Sequence, residues 1–424
     1  MAIQSRFDVT PRKAVRDTLA LVLAGGAGTR LKDLTRWHSK PAVPFGGKYR
    51  TIDFALSNCI NSDIRRIHIL TQYKSYSLNN HIQKGWNFFR PELGEFIDTI
   101  PAQQRVTASW YAGTADAVFQ NMDIIEEEGY QYILVLAGDH VYKMNYETML
   151  QEHIEKEADM TVGCIEVPTS EATQFGVMEV EQSMRIVAFE EKPEYPVQLS
   201  YRPGYSLASM GIYIFSLPFL KKALYEDAEL ADSSHDFGKD IIPTFIQSAS
   251  VFAYPFRDLY GSDEPYWQDV GTLDAYYEAN MDLLSVTPRL NLYDPDWSIW
   301  TYQEQLPPAK FIFDDDGRRG YAVDSMVSAG CVVSGSKVKR SLLSSNCRLN
   351  SYSLIKDCVI LPNVNIGRNC IIQKAIVEGG CKIPPGTQIG VDAEEDSRYF
   401  HISPKGVVLV TAETLRRKVE SQGV

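Results

Sequence analysis

Nothing in this chain is apolar for long enough to cross a bilayer. The most hydrophobic stretch, residues 19–24, is six residues, far short of the roughly 18 that a membrane helix needs. The first residues, MAIQSRFD, lack the apolar centre of a secretory leader. Cysteine is scarce, seven in 424 residues, with no C-x-x-C pair and no Cys/His cluster of metal-ligand spacing. An odd, unclustered set in a large chain fits reduced, buried thiols and predicts a cytoplasmic protein. Positive charge is in deficit: 42 Lys and Arg stand against 54 Asp and Glu, a net −12. That excludes a general polyanion binder, so neither nucleic acid nor membrane is an expected partner, and any phosphate site must be built from locally placed Lys and Arg. The two common phosphate fingerprints, G-x-G-x-x-G and the P-loop, are also missing.

What is present begins at residues 19–30, LALVLAGGAGTR. Six apolar residues read as a short buried strand. Gly25, Gly26 and Gly28 follow, and glycine lets a backbone approach a ligand closely while loop N–H groups form an anion nest. Those twelve residues fit either a pyrophosphate cradle or a tight turn with no ligand. Residues 19–286 go on alternating apolar strands with helical stretches, the α/β pattern. Strands are predicted at 19–24, 66–71, 132–137, 160–167 and 209–215, and helices at 52–62, 76–84, 114–128, 144–157 and 272–285, with Thr114 as an N-cap. Residues 1–18 read as a loose polar arm, and 287–310, with their Pro, Trp and Tyr, as a linker that packs.

Residues 311–424 follow another rule. From 326 to 389 there is a period of 17, in steps of six, six and five. Its columns are Met326, Leu343, Ile360 and Val377; Val332, Leu349, Ile366 and Ile383; and Val338, Ile355, Ile372 and Ile389. All are aliphatic, and a three-sided coil with one inward residue per face explains the pattern, predicting about four turns of parallel β-helix. Its ends need covering: the first domain is expected at one end and residues 398–420 at the other. Five of the seven cysteines fall here, as small core fillers.

Four clusters carry chemistry. Arg30 and Lys40 are cations just past the glycine loop, placed either to stabilise phosphoryl charge or as solvated surface groups. Asp139 follows the strand 132–137, where open α/β sheets bind ligands; it is either a Mg²⁺ ligand or a helix cap. Its neighbour His140 reads as structural. Asp269, in YWQDVGT, completes a metal site or caps the next helix. Glu191 and Lys192, with Ser209, suit a phosphorylated ligand with many hydroxyls or form a charged loop tip. There is no convincing Ser/His/Asp or Cys/His arrangement.

These residues carry a resemblance. Residues 23–31 (LAGGAGTRL) through Lys40-Pro41 resemble the signature of sugar-1-phosphate nucleotidylyltransferases. FGGKYR at 45–50, DFALSN at 53–58, TQY at 71–73, WYAGTADA at 110–117, AGDH at 137–140, SSHDFGKD at 233–240 and YWQDVGT at 266–272 narrow it to the glucose-1-phosphate adenylyltransferase family of bacterial glycogen synthesis. The resemblance implies a Rossmann-like nucleotidyltransferase domain followed by a C-terminal left-handed parallel β-helix, usually in a homotetramer. It implies transfer of the adenylyl group of ATP to glucose 1-phosphate with Mg²⁺. Carried over, Gly25, Gly26 and Gly28 hold ATP phosphates, and Arg30 and Lys40 neutralise the transition state. Asp139 is catalytic and binds Mg²⁺ with Asp269; Gln72 and Gly113 line the adenine side. Tyr111, Gly176, Glu191, Lys192 and Ser209 match the glucose-1-phosphate site, with Asp236 in support.

The chain also departs from the pattern. Trp37 and Gly379 stand where the family often has basic residues that bind effector phosphates, leaving Arg50, Arg416 and Arg417 as candidate allosteric ligands. Regulation by phosphorylated metabolites is therefore expected, with an altered preference. Ala27 makes the glycine loop less basic than in relatives with Arg there. Two other classes compete. A CoA-dependent acyltransferase would use a β-helix, but four coils are short and hold no histidine between 326 and 389. A regulatory subunit on a dead catalytic fold would not need Arg30, Lys40, Asp139, Lys192 and Asp269 together.

Overall fold

The computed structural model describes residues 11–26, 28–103, 110–259, 265–315 and 317–421. A nine-stranded sheet forms the first domain. At its centre, Thr18–Ala24 lies parallel between Arg66–Thr71 and Tyr132–Ala137, and Phe96–Pro101 extends the parallel part. The long strand Tyr205–Ser216 runs antiparallel to Tyr132–Ala137 and joins Met160–Pro168, Val251–Pro255, Gly176–Val180 and Ile186–Glu191 to it. Every residue of Thr18–Ala24 but Leu23 is buried, as expected of a parallel strand covered on both faces. Ala20, Val22 and Ala24 face one core, shared with helices Ile52–Asn61 and Tyr146–Glu155; Leu19 and Leu21 face the other, shared with helix Leu217–Ala228. Between Ser209 and Ile212 the register against Met160–Pro168 shifts, a bulge at Met210-Gly211 where Gly211 has φ +66°.

Three local expectations change. Residues 11–16 form a helix with Ala14 and Val15 buried, so this part of the expected loose arm is packed; residues 1–10 lie outside the described residues. The helix expected over 114–128 is two, Thr114–Phe119 and Met122–Glu128. Thr114 is not its cap: Gly113 holds that position, and the Thr114 hydroxyl instead donates to Asp236 Oδ2 and accepts from the Phe237 N–H.

Residues 286–309 have no regular structure but are fastened down. Trp297 Nε1–H donates to Asn58 Oδ1, the Trp300 N–H to Ser57 Oγ, and Lys143 pairs with the buried Asp294 at 3.0 Å. Beyond them, three parallel sheets wind as a triangular coil. Its corners recur in the left-handed region: Gly330, Asn346, Asn363 and Gly380 occupy one, with φ between +61° and +77°. Glycine and asparagine enter that region at low cost, which suits them to this corner, while Asp324, Arg340, Asp357 and Lys374 hold a second corner in the same region.

Ten of the twelve predicted column positions stack as expected. The first coil differs by one residue, because Val327, not Met326, pairs with Leu343, and Val333, not Val332, pairs with Leu349. The step there is 16, and a one-residue slip sends the neighbour outward. The docking also differs. The first domain covers a face of the coil, not an end. On that face Leu342, Val359, Ile376 and Leu409, each next to an inward residue, are buried against Leu31, Leu34, Phe45, Tyr276, Tyr277 and Leu283. Residues 398–420 do complete the coil: Val408–Val410 pairs with Ala375–Val377, and Phe400 and Leu415 join the inner core. All seven cysteines are free and buried; the Cys347 thiol donates to the Leu361 carbonyl one coil on.

Candidate active site

Three loops leave the carboxyl ends of parallel strands side by side: Gly25 after Thr18–Ala24, Gln72 after Arg66–Thr71, and Gly138-Asp139 after Tyr132–Ala137. This is the edge at which open α/β sheets bind ligands. Gln72 lies against Gly25, 3.4 Å from where a side chain there would begin, and no described residue beyond its chain neighbours would lie within 4 Å of a side chain at Gly26. Gly28 has φ +65°, and its carbonyl accepts from the Thr35 hydroxyl at 2.8 Å. A side chain at Gly28 would meet Thr35 at 2.8 Å and Lys40 at 3.2 Å, so glycine is what lets the loop fold over Lys40. Ala27 lies outside the described residues.

Asp269 arrives by β-pairing. Trp267–Asp269 runs antiparallel to His140–Tyr142, with Asp269 opposite His140. The Lys40 ammonium then sits between two carboxylates, 2.7 Å from Asp139 Oδ2 and 2.6 Å from Asp269 Oδ1. Arg30 Nη2 reaches Asp269 from outside at 3.4 Å. Burial opposes charge on Lys40, but Asp139 and Asp269 more than offset it and hold the ammonium above the ordinary lysine range. Burial likewise pushes both carboxyls up; Lys40, and after it His140, outweigh that and hold them below the usual carboxylate range.

Asp139, His140 and Asp269 each place a ligand-capable atom within 4.8 Å of the others. Two carboxylates suit a hard divalent cation, and the buried His140 Nδ1 has no hydrogen-bond partner among the described residues. The two carboxylates, Asp139 and Asp269, thus fit Mg²⁺, with the His140 imidazole beside them. His140, expected to be structural, lies in this cluster; its position after Asp139 was the available signal.

The Glu191 cluster adjoins through aromatic rings. Trp267 packs edge-on to His140 at 4.9 Å and to Phe175 at 5.3 Å, and the Phe175 carbonyl accepts from the Lys192 N–H. Lys192 Nζ is 2.6 Å from Glu191 Oε1. Glu191 Oε2 lies between two glycines: a side chain at Gly176 would meet it at 2.8 Å, and one at Gly238 at 2.7 Å. Gly238 was not foreseen. Asp236 Oδ1 accepts from the Gly238 and Lys239 N–H groups, closing the turn at 237–241. The Tyr111 hydroxyl accepts from Asn121, and Ser209 Oγ accepts from Gly211 N–H at the bulge. Gly113 is packed on the carbonyls of Ser234 and His235, which places it beside the Asp236 turn.

The three candidate effector residues are not gathered into one cluster. Arg50 donates to the Ala42 carbonyl and lines a cleft of about 360 Å³ between the domains, with Lys48, His81 and Pro362. Arg417 pairs with Glu413, which also holds Arg36 next to the exposed Trp37, and Arg416 is exposed.

A parallel sheet that presents a glycine loop, two cations and two carboxylates at one edge defines a nucleotidyltransferase, and residues 19–286 match the nucleotidyl transferase family model. Residues 307–410 match the GlmU-like C-terminal hexapeptide model, so the coil is a left-handed β-helix. Proteins named glucose-1-phosphate adenylyltransferase are similar over nearly the whole chain. The one from Methylococcus capsulatus is 58% identical over 99% of this chain and 98% of its own. Those from Nitrosococcus oceani and Hydrogenovibrio crunogenus are 58% and 57% identical, over 96% and 95% of this chain and 96% of each relative. The chain belongs to the glucose-1-phosphate adenylyltransferase family and is an enzyme of the nucleotidyltransferase class.

Proposed function

We propose that this enzyme transfers the adenylyl group of ATP to α-D-glucose 1-phosphate, releasing pyrophosphate and giving ADP-glucose for glycogen synthesis. The observation that carries this reading is Lys40 held between Asp139 and Asp269, with Arg30 beside them and the Glu191-Lys192 pair one aromatic layer away.

A phosphate oxygen of glucose 1-phosphate attacks the α-phosphorus of ATP in line; a new P–O bond forms there and the bond to the bridging oxygen of pyrophosphate breaks. The nucleophile is already anionic near neutral pH and needs no general base, so the enzyme's task is alignment and neutralisation. Gly25, Gly26 and Gly28 offer backbone N–H groups to the leaving phosphates. Arg30 and Lys40 stabilise charge on them. Lys192 binds the sugar phosphate, while Glu191, Ser209 and Tyr111 face its hydroxyls, with Asp236 and Gly176 shaping their loop. Gln72 and Gly113 lie on the adenine side. Asp139 and Asp269 would hold Mg²⁺, which when bound neutralises phosphate charge.

Arg50, Arg416 and Arg417 are assigned to phosphorylated metabolite effectors, with Trp37 and Gly379 altering which are preferred. The enzyme is assigned to the cytoplasm and to a homotetramer. Pyrophosphate release with glucose 1-phosphate and a panel of ATP, UTP and dTTP tests the core of this reading. ATP is expected to dominate, and a preference for UTP or dTTP would overturn it. The same assay across sugar phosphates and AMP tests regulation; a flat response to all of them would remove it.

A further inference from the structure

Helix Leu273–Asp282 begins just past Asp269. Only Val270, Gly271 and the N-cap Thr272 lie between, Val270 is fully buried, and a side chain at Gly271 would meet both Arg30 and Asp269 at 2.9 Å. The connection has no slack, so where the helix sits decides where Asp269 sits. The same helix holds the segment that follows Lys40: the Tyr276 hydroxyl donates to the Pro44 carbonyl, and Asn280 Oδ1 accepts from Gly46 N–H at 3.0 Å. Both members of the Lys40–Asp269 contact are therefore mounted on one short helix.

What holds that helix comes from the β-helix domain. The turn 403–407 joins His401–Ile402 to Val408–Val410, the strand that extends a coil sheet. Ser403 Oγ accepts from Val407 N–H within the turn and donates to Asp274 Oδ1. Lys405 Nζ lies 2.5 Å from Glu278 Oε1, four residues along the same helix face, and the Lys405 N–H donates to Asp274 Oδ2. Tyr277 adds a bond to the Asp357 carbonyl at 2.8 Å.

We propose that Ser403, seconded by Lys405, is a positioning residue for Asp269: the β-helix turn clamps helix 273–282 and so sets the placement of a carboxylate at the other domain's reaction edge. This rests on the assignment of Asp269 to the site proposed above. Ser403 is buried and supplies the hydroxyl donor that Asp274 receives from this turn, beside the longer bond from the Lys405 N–H. Removing it leaves Asp274 held from this turn by the Lys405 N–H at 3.4 Å and loosens the first turn of the helix, and small displacements at a site are felt steeply in rate.

The test uses the full chain with Ser403→Ala, Ser403→Thr, Lys405→Met and Asp269→Asn. Turnover, the KM of each substrate, melting temperature, and Mn²⁺ binding to substrate-free protein by electron paramagnetic resonance are measured. Ser403→Ala is expected to lower kcat about tenfold with the KM for glucose 1-phosphate near wild type. It should also weaken Mn²⁺ binding about tenfold, in the direction of Asp269→Asn, and Ser403→Thr should restore both. The exposed Lys405→Met should shift both readouts the same way by less, and it keeps the test open if Ser403→Ala does not fold. Wild-type kcat and Mn²⁺ affinity in the folded variants, whatever their melting temperature, would overturn the proposal. The Mn²⁺ arm reads Asp269 without turnover, so a failure of the assigned activity is told apart from a failure of this inference.

Discussion

The Lys40 ammonium lies 2.6 Å from the Asp269 carboxylate, across 229 residues of chain, and its other side is 2.7 Å from Asp139. One cation thus bridges two carboxylates that would otherwise repel.

Replacing either carboxylate with its amide leaves the packing nearly unchanged and removes one charge. Asp139→Asn and Asp269→Asn should each lower the rate of pyrophosphate release by about 10²-fold or more, with unchanged circular dichroism. Near-full turnover in either variant would take that residue out of the mechanism.

Among the described residues the Lys192 ammonium pairs with Glu191 at an exposed edge, so its loss should weaken ligand binding more than chemistry. Lys192→Met is expected to raise the KM for glucose 1-phosphate about 10- to 100-fold, with the KM for ATP little changed. Steady-state kinetics with each substrate varied in turn checks this; equal effects on both would place Lys192 elsewhere.

Gly113 has backbone where a side chain would go, the His235 carbonyl oxygen at 2.2 Å and that of Ser234 at 2.4 Å. Neither can swing aside as a side-chain tip would. Gly113→Ala should therefore push the 111–114 loop off the Asp236 turn, costing about 1–3 kcal/mol of stability and most of the activity. Thermal melting and turnover measure the two losses, and an unperturbed variant would show that the loop yields freely.

His153 is fully packed, each ring nitrogen facing one hydroxyl, that of Thr161 or Ser216. Burial lowers its pKa from 6.5 to about 4, so the native state keeps it neutral where the unfolded chain already takes up a proton. Its contribution is complete above pH 6.5 and is lost as pH falls towards 4, at about 1.4 kcal/mol per pH unit. His153→Gln should flatten the decline in melting temperature between pH 7 and 5. A slope equal to wild type would mean that this ring is not the group being titrated.

Much of this molecule is legible in its sequence because the signals are local. Residues 19–24 read as a buried strand because the apolar run is short and ends in glycines, and those glycines mark a loop that comes close to something. The aliphatic columns spell out the coil, since every face of a β-helix repeats the same demand at a fixed interval. The apolar neighbours Leu342, Val359 and Ile376 mark a second buried surface, the face on which the first domain docks.

Other features are set only when distant segments meet. Thr114 looks like a helix cap until the turn at Asp236 arrives to take its hydroxyl. The 16-residue first coil is invisible to a period of 17, because Met326 and Val332 are as apolar as the residues that replace them in register. Lys40 and Asp269 are individually ordinary charges; pairing between Trp267–Asp269 and His140–Tyr142 brings them together. Ser403 carries no signal in the chain at all. A hydroxyl acquires a role only from the partner it reaches, and Asp274 comes within its reach only after two domains have folded and docked.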